Sequence, residues 1–259
     1  MRFARVTPWL IASAAVASPV LAQEARPPTR YRVMIGPQLV PSYPGSDRVV
    51  FRPIGNLDRA RGDTPFIFEA PDEAAGFALW SRKGLSIGPA ANIEGRRRAR
   101  DVGTALPDVG WTVEAGGFVQ YQLTPTLRAR AELRQGLGGH GGLIGVAGLD
   151  YVVRDRDRWL VSIGPRLTFS NGRYQRAYFG VAPGDAPAAG LPAFEPDGGL
   201  HAAGATGSII RQLTKRWGVF GFVRYDRLLG GPGASPVTRG FGARDQLSGG
   251  AALTYSFTR

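Results

Sequence analysis

Hydrophobic and polar residues alternate with a period of two along much of the chain. From Leu247 to Phe257 the odd-numbered positions read Leu, Gly, Ala, Leu, Tyr, Phe, and the positions between them are Ser, Gly, Ala or Thr. Successive side chains of a strand point to opposite faces of a sheet, so this segment is predicted to be a two-faced strand. It is longer than the roughly 5–6 residues usual in soluble domains.

The same alternation recurs between short turns. In 126–137 the residues Leu127, Ala129, Ala131 and Leu133 alternate with arginines and a glutamate, and 110–123, 142–153 and 158–170 behave alike apart from Phe118. The turns LTPTL, RDRDR and LTKRW separate these segments. Alternating segments of about ten residues with aromatic ends and short turns are typical of outer-membrane barrels. We therefore predict an all-β fold, a closed antiparallel transmembrane β-barrel.

Counting back from the C-terminus gives the predicted number of strands. Seven strands follow residue 109, at 110–123, 126–137, 142–153, 158–170, 199–213, 216–229 and 247–257. Candidates before it are 31–40, 49–58, 64–70, 75–82 and 84–94, which makes twelve, while merging 64–82 with its neighbours makes ten. Short turns lie in the periplasm and long loops outside, so 95–109, 171–198 and 230–246 are predicted to be extracellular. Tyr174, Tyr178 and Phe179 indicate that a strand extends above the membrane in 171–198.

The first 24 residues, MRFARVTPWLIASAAVASPVLAQE, have the pattern of a secretory signal peptide. A basic start, a short apolar run and small residues before Gln23 predict cleavage between Ala22 and Gln23. The predicted organisation is a signal peptide at 1–22, a periplasmic tail at 23–30 and an outer-membrane barrel at 31–259.

Composition and charge exclude some of the functions that the protein could have. The 259 residues include no cysteine, which excludes disulfides and thiolate chemistry, and only two histidines. Loss of residues 1–22 would remove Arg2 and Arg5 and no acid, lowering the net charge from +12 to +10. On an exported protein this charge favours anionic surface partners over nucleic acid.

Two groups of charged residues are candidate sites. The predicted lumen carries Glu114, Arg128, Arg130, Glu132 and Arg134. They form either a charged constriction that selects solutes or, as we favour for a narrow barrel, a packed and ion-paired interior.

The second group is an extracellular basic rim in the sequence EGRRRARD, consisting of Arg96, Arg97, Arg98 and Arg100. Guanidinium groups suit phosphates and carboxylates, so the rim either contacts lipopolysaccharide or an anionic ligand, or is a solvated loop.

A hydrolase is a further alternative. His140 and His201, with Ser170 or Ser208 and Asp197, supply the residue types of a Ser/His/acid site, but their spacing fixes no geometry. We expect no enzyme activity, no catalytic residue, no cofactor and no metal.

Several motifs, in order, resemble one family. PSYPGSDRVVFRPIGNLD at 41–58, GLGGHGG at 136–142, YFGV at 178–181, ASPV at 234–237 and the LTYSF ending resemble the MipA/OmpV family of MltA-interacting outer-membrane proteins. The resemblance implies an outer-membrane β-barrel. It also implies a scaffold that joins a periplasmic lytic transglycosylase to a murein synthase, or, as in porin-like members, a small-solute channel. The chain departs from the usual terminal aromatic residue, because Thr258 and Arg259 follow Phe257.

Overall fold

A computed structural model describes residues 27–259, so the predicted signal peptide and the Ala22/Gln23 cleavage site lie outside the described residues. The strands are β1 Thr29–Pro41, β2 Val49–Arg61, β3 Ala75–Gly76, β4 Trp80–Arg82, β5 Leu85–Glu94, β6 Thr112–Gln122, β7 Leu127–Gly138, β8 Leu143–Asp155, β9 Trp159–Asn171, β10 Gly198–Gln212, β11 Trp217–Leu228 and β12 Asp245–Thr258. The helices are α1 Ala99–Val102, α2 Gly172–Phe179, α3 Ala186–Ala189, α4 Gly230–Ala234 and α5 Pro236–Phe241.

All twelve strands belong to one antiparallel sheet. Its order is β2-β1-β12-β11-β10-β9-β8-β7-β6-β5-β3, and β4 also pairs with β5. The N-terminal strand β1 therefore lies beside the C-terminal strand β12. The sheet ends at β2 on one side and at β3 and β4 on the other, and backbone pairing within residues 27–259 does not join these edges. The predicted all-β antiparallel architecture is confirmed, whereas ring closure stays a prediction.

The seven strands predicted after residue 109 are all present, with ends that differ by at most two residues. The two residues after Phe257 have a structural role beside β1. Thr258 pairs with Arg30, and the backbone N–H of Arg259 donates to the carbonyl of Thr29 at 2.8 Å. Thr258 and Arg259 thus continue the ladder between β12 and β1.

The prediction of a strand at 64–70 is wrong. No strand covers 62–74, and this stretch, which we call the lumen segment, packs against inward-facing side chains of the sheet. The physical reason is that its carboxylates and Phe rings contact arginines of the wall. The strand predicted at 75–82 is split into β3 and β4, and Lys83 and Gly84, both at positive φ, form the tight turn into β5.

The apolar face of the sheet is its exposed face. Ile163 is 60% exposed and Leu133 55%, whereas Glu114 and Arg128 on the other face are 1% and 2% exposed. A soluble sheet places its apolar face in the core, and the opposite arrangement is that of a membrane barrel with a polar interior.

The long connections fold into a cap over one end of the sheet. Buried residues from these loops and the strand ends form one apolar cluster: Tyr43, Val102, Leu106, Val109, Ile144, Tyr174, Tyr178, Phe179, Val181, Ala189, Ala202, Leu228 and Val237. The strand predicted from Tyr174, Tyr178 and Phe179 is wrong, because these residues lie on α2, whose first turn is capped by the Asn171 side chain. None of the helices within 27–259 is long and apolar enough to cross a membrane.

Candidate functional site

The lumen segment enters the sheet at the end that carries the short turns, which we call the turn end. Arg30 of β1 donates to the carbonyls of Gly62 and Thr64 at 2.7 and 2.6 Å. The carboxylate of Asp157 accepts hydrogen bonds from Arg30 at 2.8 Å and from the backbone N–H of Phe66 at 3.0 Å. These contacts fix the chain where it turns inward from β2.

Arginines of the wall then bind the backbone of the lumen segment. Arg154 donates to the carbonyl of Phe66 at 2.8 Å, and Arg128 to the carbonyl of Phe68 at 3.0 Å. The Arg128 guanidinium also lies 4.4 Å from the centre of the Phe68 ring. Side chains of the wall therefore satisfy backbone groups that no strand pairing satisfies.

Two acidic residues complete the attachment of the lumen segment. Asp72 accepts two hydrogen bonds from Arg166, at 2.7 and 3.2 Å, and Glu73 is ion-paired with Arg128. The backbone N–H of Ala74 donates to Glu132 at 3.3 Å. The segment therefore occupies the concave side of the sheet as a plug held by charges.

The predicted lumen residues lie together in one network. Arg134 bonds Glu114 at 3.0 Å and is also paired with Glu132, while Arg130 bonds Glu132 at 2.8 Å. Arg130 also lies 3.7 Å from the centre of the Phe118 ring, so Phe118, the exception in its strand, faces inward and contacts a cation. These contacts agree with a packed, ion-paired interior.

Four residues of this network were not among the predicted site residues: Asp72, Glu73, Asp150 and Arg166. Asp150 bonds Arg128 at 2.7 Å and Arg166 at 2.6 Å, which links β7, β8 and β9. Asp150 and Arg166 occupy inward positions of β8 and β9, in which apolar and polar residues alternate. The period of two alone therefore places both side chains on this face. Asp72 and Glu73 carry no such signal because they lie between the predicted strands 64–70 and 75–82.

A polar chamber of about 330 Å³ lies between the lumen segment and the cap. Its lining includes Arg52, Glu94, Glu114, Arg134 and Arg224. Acidic and basic groups thus meet in the upper lumen. Within residues 27–259 no group of three or more His, Asp or Glu side chains has the arrangement of a metal site.

The predicted basic rim is divided between two environments. Arg96 and Arg100 are exposed and Arg98 is half-buried, whereas Arg97 is 2% exposed. Arg97 donates to the carbonyls of Tyr178 and Pro107, at 2.8 and 2.7 Å. Burial lowers the pKa of the Arg97 guanidinium. Arg97 therefore links its own loop to helix α2 within the cap, while Arg96 and Arg100 face outward.

The two histidines lie under the cap in different settings. Nδ1 of His140 accepts the Gly142 N–H at 3.0 Å, so in the neutral ring Nε2 carries the proton and donates to Glu114 at 3.2 Å. His201 pairs with Ser170 at 2.9 Å.

Ser208, the other candidate serine, hydrogen-bonds Ser162 instead of a histidine, at 2.7 Å. No carboxylate within residues 27–259 hydrogen-bonds His201, so the Ser170–His201 pair lacks the acid that orients a catalytic histidine.

Comparison with known proteins gives one family and several distant structures. The family model described as MltA-interacting protein MipA matches residues 33–257. No curated protein matches the chain. An outer membrane channel from Pseudomonas putida F1 is 11% identical, with 94% of this chain and 100% of that chain covered and a TM-score of 0.42.

Two further solved structures are similarly distant. The outer membrane protein OprG from Pseudomonas aeruginosa is 9% identical, covering 90% of this chain and 97% of its own, with a TM-score of 0.29. The translocator domain of the autotransporter NalP from Neisseria meningitidis is 10% identical. The match covers 91% of this chain and 90% of that domain, with a TM-score of 0.38. Because these TM-scores are below 0.5, neither strand number nor function is transferred from the three structures.

Proposed function

The chain belongs to the MltA-interacting protein MipA family, and on this premise we propose that it is an exported outer-membrane β-barrel that serves as a non-enzymatic scaffold for murein enzymes. Its partners in this proposal are a periplasmic lytic transglycosylase and a murein synthase. The family membership and the outward apolar face of the sheet support the outer-membrane location.

In the membrane the two free edges of the sheet close into a barrel. Lipid offers no hydrogen-bond partner to an open strand edge, so an unpaired edge is costly there. The edges also approach each other: the Arg52 guanidinium of β2 occupies the space that a Cβ at Gly95, just beyond β5, would need. This proximity supports closure between β2 and β5.

The filled lumen is the observation that carries the scaffold proposal. The lumen segment blocks the interior below the chamber, and the cap narrows the end above it. An interior occupied in this way favours a function at the surfaces over an open pore. The exposed Arg96 and Arg100 on the cap side are then available to lipopolysaccharide phosphates.

The turn end, which we place in the periplasm, is strongly basic. Its exposed basic residues are Arg59, Arg61, Arg82, Lys83, Arg156, Arg158, Arg211, Lys215 and Arg216. A cleft of about 320 Å³ opens there, with Arg156, Arg158 and Lys215 in its lining. Such a surface fits an acidic face on a periplasmic partner, since complementary charge steers association.

The test is capture of murein enzymes from a periplasmic extract by the purified protein. We expect the wild type to retain a lytic transglycosylase and the variant Arg156→Glu/Arg158→Glu/Lys215→Glu to lose it. The matched control, Arg96→Glu/Arg98→Glu/Arg100→Glu, reverses three charges at the opposite end and should retain the enzyme. Heat-modifiable gel migration shows that each barrel is folded. The scaffold proposal fails if the folded wild type captures no transglycosylase while an established binder in the same extract does.

A further inference from the structure

Four arginines face the lumen on strands β7 and β9. They are Arg128, Arg130, Arg134 and Arg166, and each side chain is 8% exposed or less. The wall offers three carboxylates to them, Glu114, Glu132 and Asp150. The wall alone is therefore one negative charge short of balance, in an interior where unpaired charge is costly.

The lumen segment supplies two further carboxylates, one more than this balance requires. Asp72 accepts two hydrogen bonds from Arg166, and Glu73 is paired with Arg128 and lies 3.6 Å from Arg130. Their side chains are only 2% and 10% exposed. Paired donors from a guanidinium are the geometry that binds a carboxylate or a phosphate. Asp72 and Glu73 thus occupy an anion site built by the wall.

The segment that carries these carboxylates is not part of the sheet. No strand covers 62–74, so its displacement would break no ladder of backbone hydrogen bonds. It begins at Gly62, which adopts a positive φ of 51°. Side chains of the wall hold it in the lumen, and among their contacts a competing anion can replace those of Asp72 with Arg166 and of Glu73 with Arg128.

We propose that the four arginines form a binding site and pathway for small solutes that carry carboxylate or phosphate groups, with Asp72 and Glu73 as its built-in occupant. A solute anion that takes over Arg166 and Arg128 releases the lumen segment and opens an anion-selective passage. The anion site is distinct from the surface assigned to the scaffold role, because its arginines lie in the interior and not among the exposed residues of the turn end.

The first test is conductance in planar bilayers free of lipopolysaccharide. Asp72→Asn/Glu73→Gln removes the occupant's charges and should conduct with anion selectivity, while the wild type stays almost silent. Asp63→Asn/Glu69→Gln is the matched control: it removes the same charge from the same segment, at residues exposed and unpaired with the wall arginines. A folded but silent Asp72→Asn/Glu73→Gln barrel, a cation-selective one, or equal conductance in the control would overturn the proposal.

A second measurement covers the outcome in which the double variant does not fold. The described residues contain no cysteine, and Ala70 of the lumen segment is 5% exposed, so Ala70→Cys reports whether the segment leaves the lumen. Inorganic phosphate should speed its reaction with a charged thiol reagent about tenfold over chloride at equal ionic strength, corresponding to about 1.4 kcal/mol. Adding Arg166→Gln should abolish this dependence on phosphate. Equal labelling in phosphate and chloride would overturn the proposal.

Discussion

The guanidinium of Arg97 donates a hydrogen bond to the carbonyl oxygen of Tyr178 across 2.8 Å and joins the loop 95–109 to helix α2. A second bond, to the carbonyl of Pro107 at 2.7 Å, closes the same loop on itself. Tyr178 belongs to the apolar cluster of the cap, where an unpaired polar group is costly, and the bond to Pro107 is partly buried. Arg97 therefore contributes to the cohesion of the cap and not to a basic surface.

Replacing Arg97 should loosen the cap without unfolding the barrel. Arg97→Gln leaves at least one of the two carbonyls unpaired, at a cost of about 1–3 kcal/mol. We expect faster proteolysis within 171–198 and faster amide exchange in α2, with unchanged heat-modifiable migration of the barrel. Arg96→Gln, one residue away and exposed, should change stability by less than about 0.5 kcal/mol. Equal protease sensitivity in the two variants would contradict the role given to Arg97.

The sequence could not distinguish Arg97 from its neighbours. Arg96, Arg97 and Arg98 are consecutive and chemically identical, and only the position of α2 decides which guanidinium is buried. The strand positions behave differently, because a period of two fixes the face of every residue once one face is known. That is why the sequence alone predicts that Arg128, Arg130 and Arg134 lie on the same face of their strand, opposite the apolar face.

The lumen segment shows where period-two reasoning fails. Phe66 and Phe68 alternate with other residues as they would in a wall strand. Their rings instead lie inside the sheet against arginines, with Phe66 4.5 Å from Arg32 and Phe68 4.4 Å from Arg128. An alternating pattern shows that the two faces of a segment have different environments. It does not show that one environment is lipid and the other the lumen. The arginine partners of this segment are 32 to 94 residues away in sequence, so local patterns do not reveal them.

An arginine on the outer face should be costly only at membrane depth. Ile163 lies in the middle of β9 and is 60% exposed, while Leu213 is 62% exposed in a turn. Ile163→Arg should destabilise the barrel in lipid by about 2–4 kcal/mol, and Leu213→Arg by about 0–1 kcal/mol. Urea unfolding in lipid vesicles measures both. Similar values for the two sites would contradict the assignment of this face to lipid.

Asp157 should be a strong point of attachment at the turn end. Its carboxylate bonds Arg30 at 2.8 Å, Arg154 at 3.0 Å and the Phe66 N–H at 3.0 Å. Asp157→Ala removes charge-assisted hydrogen bonds worth about 1.5–3 kcal/mol each before relaxation, so we expect a lower unfolding midpoint in urea.

Asp155→Ala is the matched control for Asp157→Ala. Asp155 pairs with Arg158, and the two side chains are 41% and 81% exposed, so its loss should cost about 0–1 kcal/mol. A control variant as unstable as Asp157→Ala would show that the attachment of the lumen segment contributes nothing.

Alkaline pH should destabilise the cap through its buried tyrosines. Tyr178 is 0% exposed, and burial raises its pKa; Tyr174 is shifted in the same direction for the same reason. Since the unfolded tyrosine ionises near pH ~10, the folded cap holds more protons above that pH. Stability is therefore constant below pH ~10 and falls as the pH rises further, by at most about 1.4 kcal/mol per pH unit for each tyrosine.

Tyr178→Phe removes one of these ionisable groups and should make the decline in cap stability less steep. Tyr178→Phe/Tyr174→Phe should make it less steep still, because both ionisable groups are then removed. Protease resistance of 171–198 between pH ~9 and pH ~11 measures the change, with the migration of the barrel as an internal reference. If the wild type and the double variant lose resistance with the same dependence on pH, the decline arises from groups other than these tyrosines.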